Sequence, residues 1–132
     1  GAVAGAVLAN TMFALDPLSL STTVRAGFPQ LLSEGVATFG LIGVVICVGR
    51  TRAAITPLAV AAYIVAAYWF TASTSFANPA VTIGRAFSNT YAGIRPGDVA
   101  GFIAAQGAGA AIGGILFGWL VPLVPPEQVA PA

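Results

Sequence analysis

The chain has 132 residues, of which 58% are hydrophobic and 7% charged, with a net charge of +1 and a mean hydropathy of +0.91. Five basic and four acidic residues are too few to coat a water-soluble domain, which carries roughly 25% charged residues, so the composition is that of a membrane protein. The near-neutral balance leaves no basic surface for nucleic acid. The absence of histidine, with Cys47 as the single cysteine, removes disulfides, Cys/His metal sites and Cys–His or Ser–His catalysis within the chain.

Residues 1–15 form an apolar run with no charged region before it, unlike a signal peptide. The run is short of the ~20 residues that cross a bilayer core of roughly 30 Å. It reads as a transmembrane helix cut at its start, and the chain as part of a longer protein. Residues 16–30 contain Asp16, Arg25, two prolines and a Ser-Thr cluster, the composition of an aqueous loop. Spans are expected at 31–49, marred only by Glu34, and at 53–70. Arg50-Thr51-Arg52 separates them, and the positive-inside rule puts that turn in the cytoplasm. Loop 16–30 and the end of the span at Phe70 then face outward. Tyr68-Trp69-Phe70 forms an outer aromatic belt, with Trp119 at the inner one. A last span covers 98–121, after Arg95-Pro96-Gly97. The tail, 122–132, holds four prolines and is expected to be extended or disordered.

Between Phe70 and Asp98 lie 27 residues, too many for a hairpin turn. Segment 71–77 is small and hydroxyl-rich, which does not favour a helix. Asn78 is then a good N-cap, and Pro79 fits the first helical position, where its missing N–H costs nothing. A helix from there to about Tyr91 would measure roughly 18 Å, about half a bilayer. A loop descending from the outer face and a half-helix climbing back would fill the interval, if protein or a water-filled cavity surrounds them. The half-helix would start at the bilayer centre, with its positive end there. Capping through the Asn78 side-chain oxygen leaves its amide NH₂ free as a donor. Helical spacing puts Asn78, Val81, Thr82 and Arg85 on one face, suited to line a pore, and Ile83, Ala86 and Phe87 on the packing face. An Asn-Pro-Ala triplet alone also occurs as an ordinary turn.

An acid inside a span is costly and usually partnered, so Glu34 is expected to support the loop. The plainer reading is a carboxylate stabilised by the start of its own helix. Arg85 lines the mouth or snorkels to the surface. Gly109 and Gly113 have the spacing of close helix packing, and Cys47 is a small apolar packing residue.

Asn78-Pro79-Ala80, Glu34 with Gly35 and Thr38, and the glycine-rich stretch 107–114 together resemble the major intrinsic protein family, the aquaporins and aquaglyceroporins. The resemblance implies an all-α membrane protein, an aquaporin-like helical bundle half with a re-entrant loop and a half-helix. Residues 1–121 would comprise the end of transmembrane helix three, helices four and five, the second NPA loop with its half-helix, and helix six. Residues 122–132 would form a Pro-rich tail.

Glu34 would accept hydrogen bonds from the re-entrant loop. Pro79 and Ala80 would line the pore with Asn78, Val81, Thr82 and Arg85. Val81 stands where typical members have a filter arginine, as in relatives thought to pass larger neutral solutes. Tyr68 and Ala66 are the two candidates for the helix-five filter position. The implied function is passive permeation of water or small neutral solutes, such as glycerol or neutral metalloid acids, with no enzyme activity, no cofactor and no metal. The implied partners are the lipid bilayer, the solute, a missing N-terminal half bearing the first NPA motif, and three further copies in a homotetramer. The expected location is a bacterial inner (plasma) membrane. A broken-helix secondary transporter, or a piece inactive without its other half, are the alternatives.

Overall fold

A computed structural model describes residues 1–123, which contain helices and no strand. The helices are α1 (Ala2–Met12), α2 (Phe28–Thr51), α3 (Thr56–Phe70), α4 (Pro79–Arg85) and α5 (Pro96–Leu120), and a 3-10 turn, Ala53–Ile55, leads into α3. Three stretches are long and apolar enough to cross a membrane: α2, the turn with α3, and α5. α1 is apolar but shorter. Of the expected Pro-rich tail, residues 124–132 lie outside the described residues, and Pro122 and Leu123 are not helical.

The spans start and stop for local reasons. α2 begins at Phe28, three residues ahead of the expected boundary. Gly27 at φ +96° breaks the preceding chain, and Pro29 fits the first turn, where no amide partner is lost. α5 opens on Pro96 with Asp98 in its first turn, a favourable place for a negative charge. Asp98 also pairs with Arg95 at 2.9 Å.

The principal seam joins α2 to α5 and is made by backbone approach. A side chain at Gly109 would collide with the Gly35 carbonyl oxygen, and one at Gly113 would lie 2.9 Å from the Phe39 carbonyl oxygen. Small residues let the helices come this close, where dispersion and weak Cα–H···O contacts stabilise them. At the far end of the seam, Arg50 donates to the carbonyls of Gly118 (3.0 Å) and Val121, which α5 itself cannot satisfy. α3 is fastened to α2 by the Tyr63 hydroxyl, which donates to the Ala37 carbonyl at 2.9 Å. Away from these seams the spans expose large apolar side chains, among them Leu58, Val65, Trp69, Ile115 and Trp119. Such faces suit hydrocarbon rather than water.

α1 and α4 pack together through Gly84, where an added Cβ would lie 2.9 Å from the Ala2 carbonyl oxygen. Asn10, near the end of α1 and 2% exposed, ties this pair to the segment beyond α4.

Candidate functional site

The segment 71–77 enters the bundle without regular structure. Three of its residues lie in the left-handed region: Thr74 (φ 61°), Ser75 (φ 48°) and Ala77 (φ 49°). None is glycine, so each costs about 1–2 kcal/mol. The conformation persists because α2 holds it at several points. Gln30 Nε2 donates to the Ala72 carbonyl, and the Ala72 amide donates to Ser33 Oγ. Deeper in, the Phe76 amide donates to Glu34 Oε1 at 2.8 Å and the Ala77 amide to Glu34 Oε2 at 2.9 Å. Hydrogen bonds to a charged group contribute roughly 1.5–3 kcal/mol each, enough to offset strain of this size.

Glu34 is fully buried and has a third donor. Gln106 Nε2, from the middle of α5, donates to Glu34 Oε2 at 2.7 Å and to Thr82 Oγ1 at 2.8 Å. Thr82 Oγ1 donates in turn to the Asn78 carbonyl. One buried network therefore joins α2, the loop, α4 and α5.

At the end of the loop, Asn78 Oδ1 accepts from the amides of Ala80 (2.8 Å) and Val81 (3.4 Å), and Pro79 occupies the first helical position. Asn78, Pro79 and Ala80 are exposed at this end of α4. No hydrogen bond from the described residues reaches the carbonyls of Ser75, Phe76 or Ala77. The start of the helix thus combines the exposed Asn78 amide with three carbonyls, on the buried residues Ser75, Phe76 and Ala77, that no described donor reaches.

Two expectations are corrected. The half-helix does not reach Tyr91 but ends at Arg85, seven residues and about 10 Å long. The carbonyls that would continue it are already occupied. The Arg85 carbonyl accepts from the Ile94 amide, that of Ala86 from the Ser21 amide, and that of Phe87 from Asn10 Nδ2 at 3.0 Å. Ser88 then turns its hydroxyl to Asn10 Oδ1. The second correction concerns Thr82 and Ile83 alone, since Ala86 lies in the core and Phe87 packs against it as expected. Thr82 is fully buried against Gln106 and lies on the packed side, whereas Ile83 is 44% exposed. Val81 and Arg85 are half-buried and border a groove of about 730 Å³ between α1 and α4.

Arg85 lies 4.4 Å from the centroid of the Phe76 ring, and Arg25 lies 4.9 Å from the same ring. Arg25 comes from the loop between α1 and α2 and is 5% exposed. It donates to the carbonyls of Gly93, Ser73 and Tyr91 at 2.7–2.8 Å. Burial pulls its pKa below the ordinary value, and the negative charge of Glu34 acts the other way. The two filter candidates, Tyr68 and Ala66, are both exposed on α3.

Gln106, Arg25 and Asn10 were missed as parts of the site. Each is a polar or charged residue with a buried side chain. Gln106 stands alone in the middle of an apolar helix, a signal equal to the one that singled out Glu34, and Asn10 with Thr11 interrupts another. Gln30, Ser33 and Glu34 share one face of the first turns of α2, which spacing alone could have grouped.

Over 121 residues, 92% of the chain, the sequence is 53% identical to AqpS, an aquaglyceroporin of Rhizobium meliloti (strain 1021). The chain belongs to the major intrinsic protein family. It covers 52% of that relative, so it spans about half the length of the curated protein it matches. No family model and no solved structure matches the chain. With this family membership, the three membrane-length helices and the all-helical architecture are those of an aquaporin-like half, and the protein is an integral membrane protein.

Proposed function

We propose that the protein forms a passive channel for water and small neutral solutes, and that it is not an enzyme. The observation that carries this reading is the start of α4. A helix N-terminus is held inside the bundle by a buried carboxylate, with the Asn78 side chain and three unpaired carbonyls beside it. Donors and acceptors of this kind can replace a neutral solute's hydration, while the helix dipole opposes cations.

In this reading Asn78, Pro79, Ala80, Val81 and Arg85 line the path, Tyr68 contributes to the filter ahead of Ala66, and Glu34 supports the loop. The similarity to an aquaglyceroporin supports solutes of glycerol size, and the apolar Val81 is compatible with them. The remainder of the pore comes from a second half with its own half-helix. The working assembly is a homotetramer in a bacterial inner membrane. A broken-helix transporter would need a titratable coupling group, and Glu34 is already committed to three donors.

Light scattering on proteoliposomes holding the full-length protein, under water and then glycerol gradients, tests the function directly. Neither flux exceeding that of empty vesicles would refute it. Asn78→Asp keeps the cap, because Asp caps as well as Asn. It removes the amide donor and adds a negative charge, so neutral-solute flux falls and cation leak rises. Unchanged flux and no leak would take Asn78 out of the pore. Val81→Arg narrows the path and lowers the glycerol-to-water ratio. An unchanged ratio would take Val81 out of the filter.

A further inference from the structure

We infer that Arg25 is the residue that sets charge selectivity at the mouth of the channel and ties together the two limbs of the loop that forms it. The inference rests on the channel reading and adds a determinant outside the Asn-Pro-Ala segment.

The guanidinium takes one carbonyl from the limb that enters the bundle, Ser73, and two from the limb that leaves it, Tyr91 and Gly93. It lies beside the Phe76 ring, which sits between these limbs in sequence, two residues before Asn78. The Arg25 amide is held by Asp98 Oδ2 at 2.8 Å, so the backbone of the residue is fixed as well. A planar group with five donors can bridge three carbonyls on separate segments, which a lysine ammonium at the end of a flexible stem does less well.

The Glu34 carboxylate offsets part of the charge from a distance and Asp98 holds the Arg25 amide, but neither carboxylate is paired with the guanidinium. Among the described residues the only ion pair joins Arg95 to Asp98, and all three side-chain bonds of Arg25 go to neutral carbonyls. Arg85 adds a second guanidinium at the same ring, also without a carboxylate partner. A buried charge is screened less by salt than an exposed one, so it acts on an ion in the adjoining path. The loop between α1 and α2, which carries no residue of the Asn-Pro-Ala segment, thereby contributes a fixed cation to the mouth.

The test uses the full-length protein in proteoliposomes, measuring glycerol flux and potassium conductance per folded channel. Arg25→Gln should raise the potassium-to-glycerol ratio by about tenfold, the effect of removing one unit charge at ~10 Å through an effective dielectric near 20. Arg25→Lys should keep the wild-type ratio while lowering the thermal midpoint, because the charge remains and the bridge does not. Arg25→His makes the charge switchable in a single folded protein. Its potassium leak should rise between about pH 5 and pH 8 as the imidazole loses its proton, with Glu34, Asp98, Arg85, Tyr68 and Tyr91 as the neighbouring charged and titratable groups. A wild-type ratio in Arg25→Gln, or a leak in Arg25→His that stays flat with pH, would overturn the inference. Either result with normal wild-type glycerol flux leaves the channel reading standing. Absent flux in the wild type defeats that reading instead.

Discussion

The α2–α5 seam and the loop 71–77 are held in opposite ways. The seam is backbone against backbone: glycines at 109 and 113 bring α5 onto the carbonyls of Gly35 and Phe39. Little there depends on charge. The loop has no apolar side chain larger than alanine in its first five residues, and it has three left-handed non-glycine residues. It is held by side chains reaching from other elements, chiefly the carboxylate of Glu34 and the guanidinium of Arg25. The comparison suggests why a membrane protein would keep a buried charge. An irregular segment has amides that no helix satisfies, and in a low-dielectric interior a carboxylate satisfies them strongly. The same difference decides how each region should respond to substitution.

The largest effect is expected at Glu34, where the loop has most to lose. Glu34→Gln replaces one acceptor oxygen with an NH₂ group. That group must face the Phe76 amide, the Ala77 amide or Gln106 Nε2, all donors. A charged hydrogen bond is lost and a buried donor is left unpaired, for a loss of ~3 kcal/mol or more. Thermal unfolding of the full-length protein in detergent measures it. An unchanged midpoint would mean that the loop keeps its shape without the carboxylate, and the comparison would collapse.

The seam should fail by crowding. Gly109→Val drives a branched side chain into the Gly35 carbonyl, and overpacking of this kind costs about 1–3 kcal/mol. Gly107 lies two residues away with open space around its Cβ position. Gly107→Ala should therefore be neutral or stabilise the helix by up to ~1 kcal/mol. Opposite signs at the two positions would fix the seam to the face bearing Gly109. Equal losses would show that glycine matters here for some reason other than close approach.

The two regions also differ in how far the sequence revealed them. The seam was legible because helical spacing alone puts Gly109 and Gly113 on one face. Asn78 as a cap and Pro79 at the first helical position were legible for the same reason, since capping is local chemistry. The end of α4 was not legible. It is set by Asn10 and Ser21, which lie far from it in sequence, and by Ile94 from the segment that follows, and these take the carbonyls that a longer helix would need. The burial of Thr82 was hidden likewise, because its partner Gln106 stands 24 residues away on α5. Spacing assigned the faces of α4 from its own residues, whereas the side that packs is determined by what α5 and α1 bring to it.

The smallest effect should come where a hydrogen bond supports a contact already made by helix packing. The Tyr63 hydroxyl donates to the Ala37 carbonyl at 2.9 Å and occupies the space beside Gly40 that a Cβ would otherwise fill. Ala37 sits in the middle of α2, so its carbonyl also accepts an intrahelical bond. Tyr63→Phe removes the hydroxyl without leaving that carbonyl unpaired, and the ring still fills most of the same space. The loss should be ~1 kcal/mol, the ordinary net value of a neutral hydrogen bond. Because α3 meets α2 here and not at the loop, the glycerol-to-water ratio should not move. A loss as large as that of Glu34→Gln, or a changed ratio, would mean that α3 and the loop act as one unit, so that the division between a packed seam and a hydrogen-bonded loop does not extend to this helix.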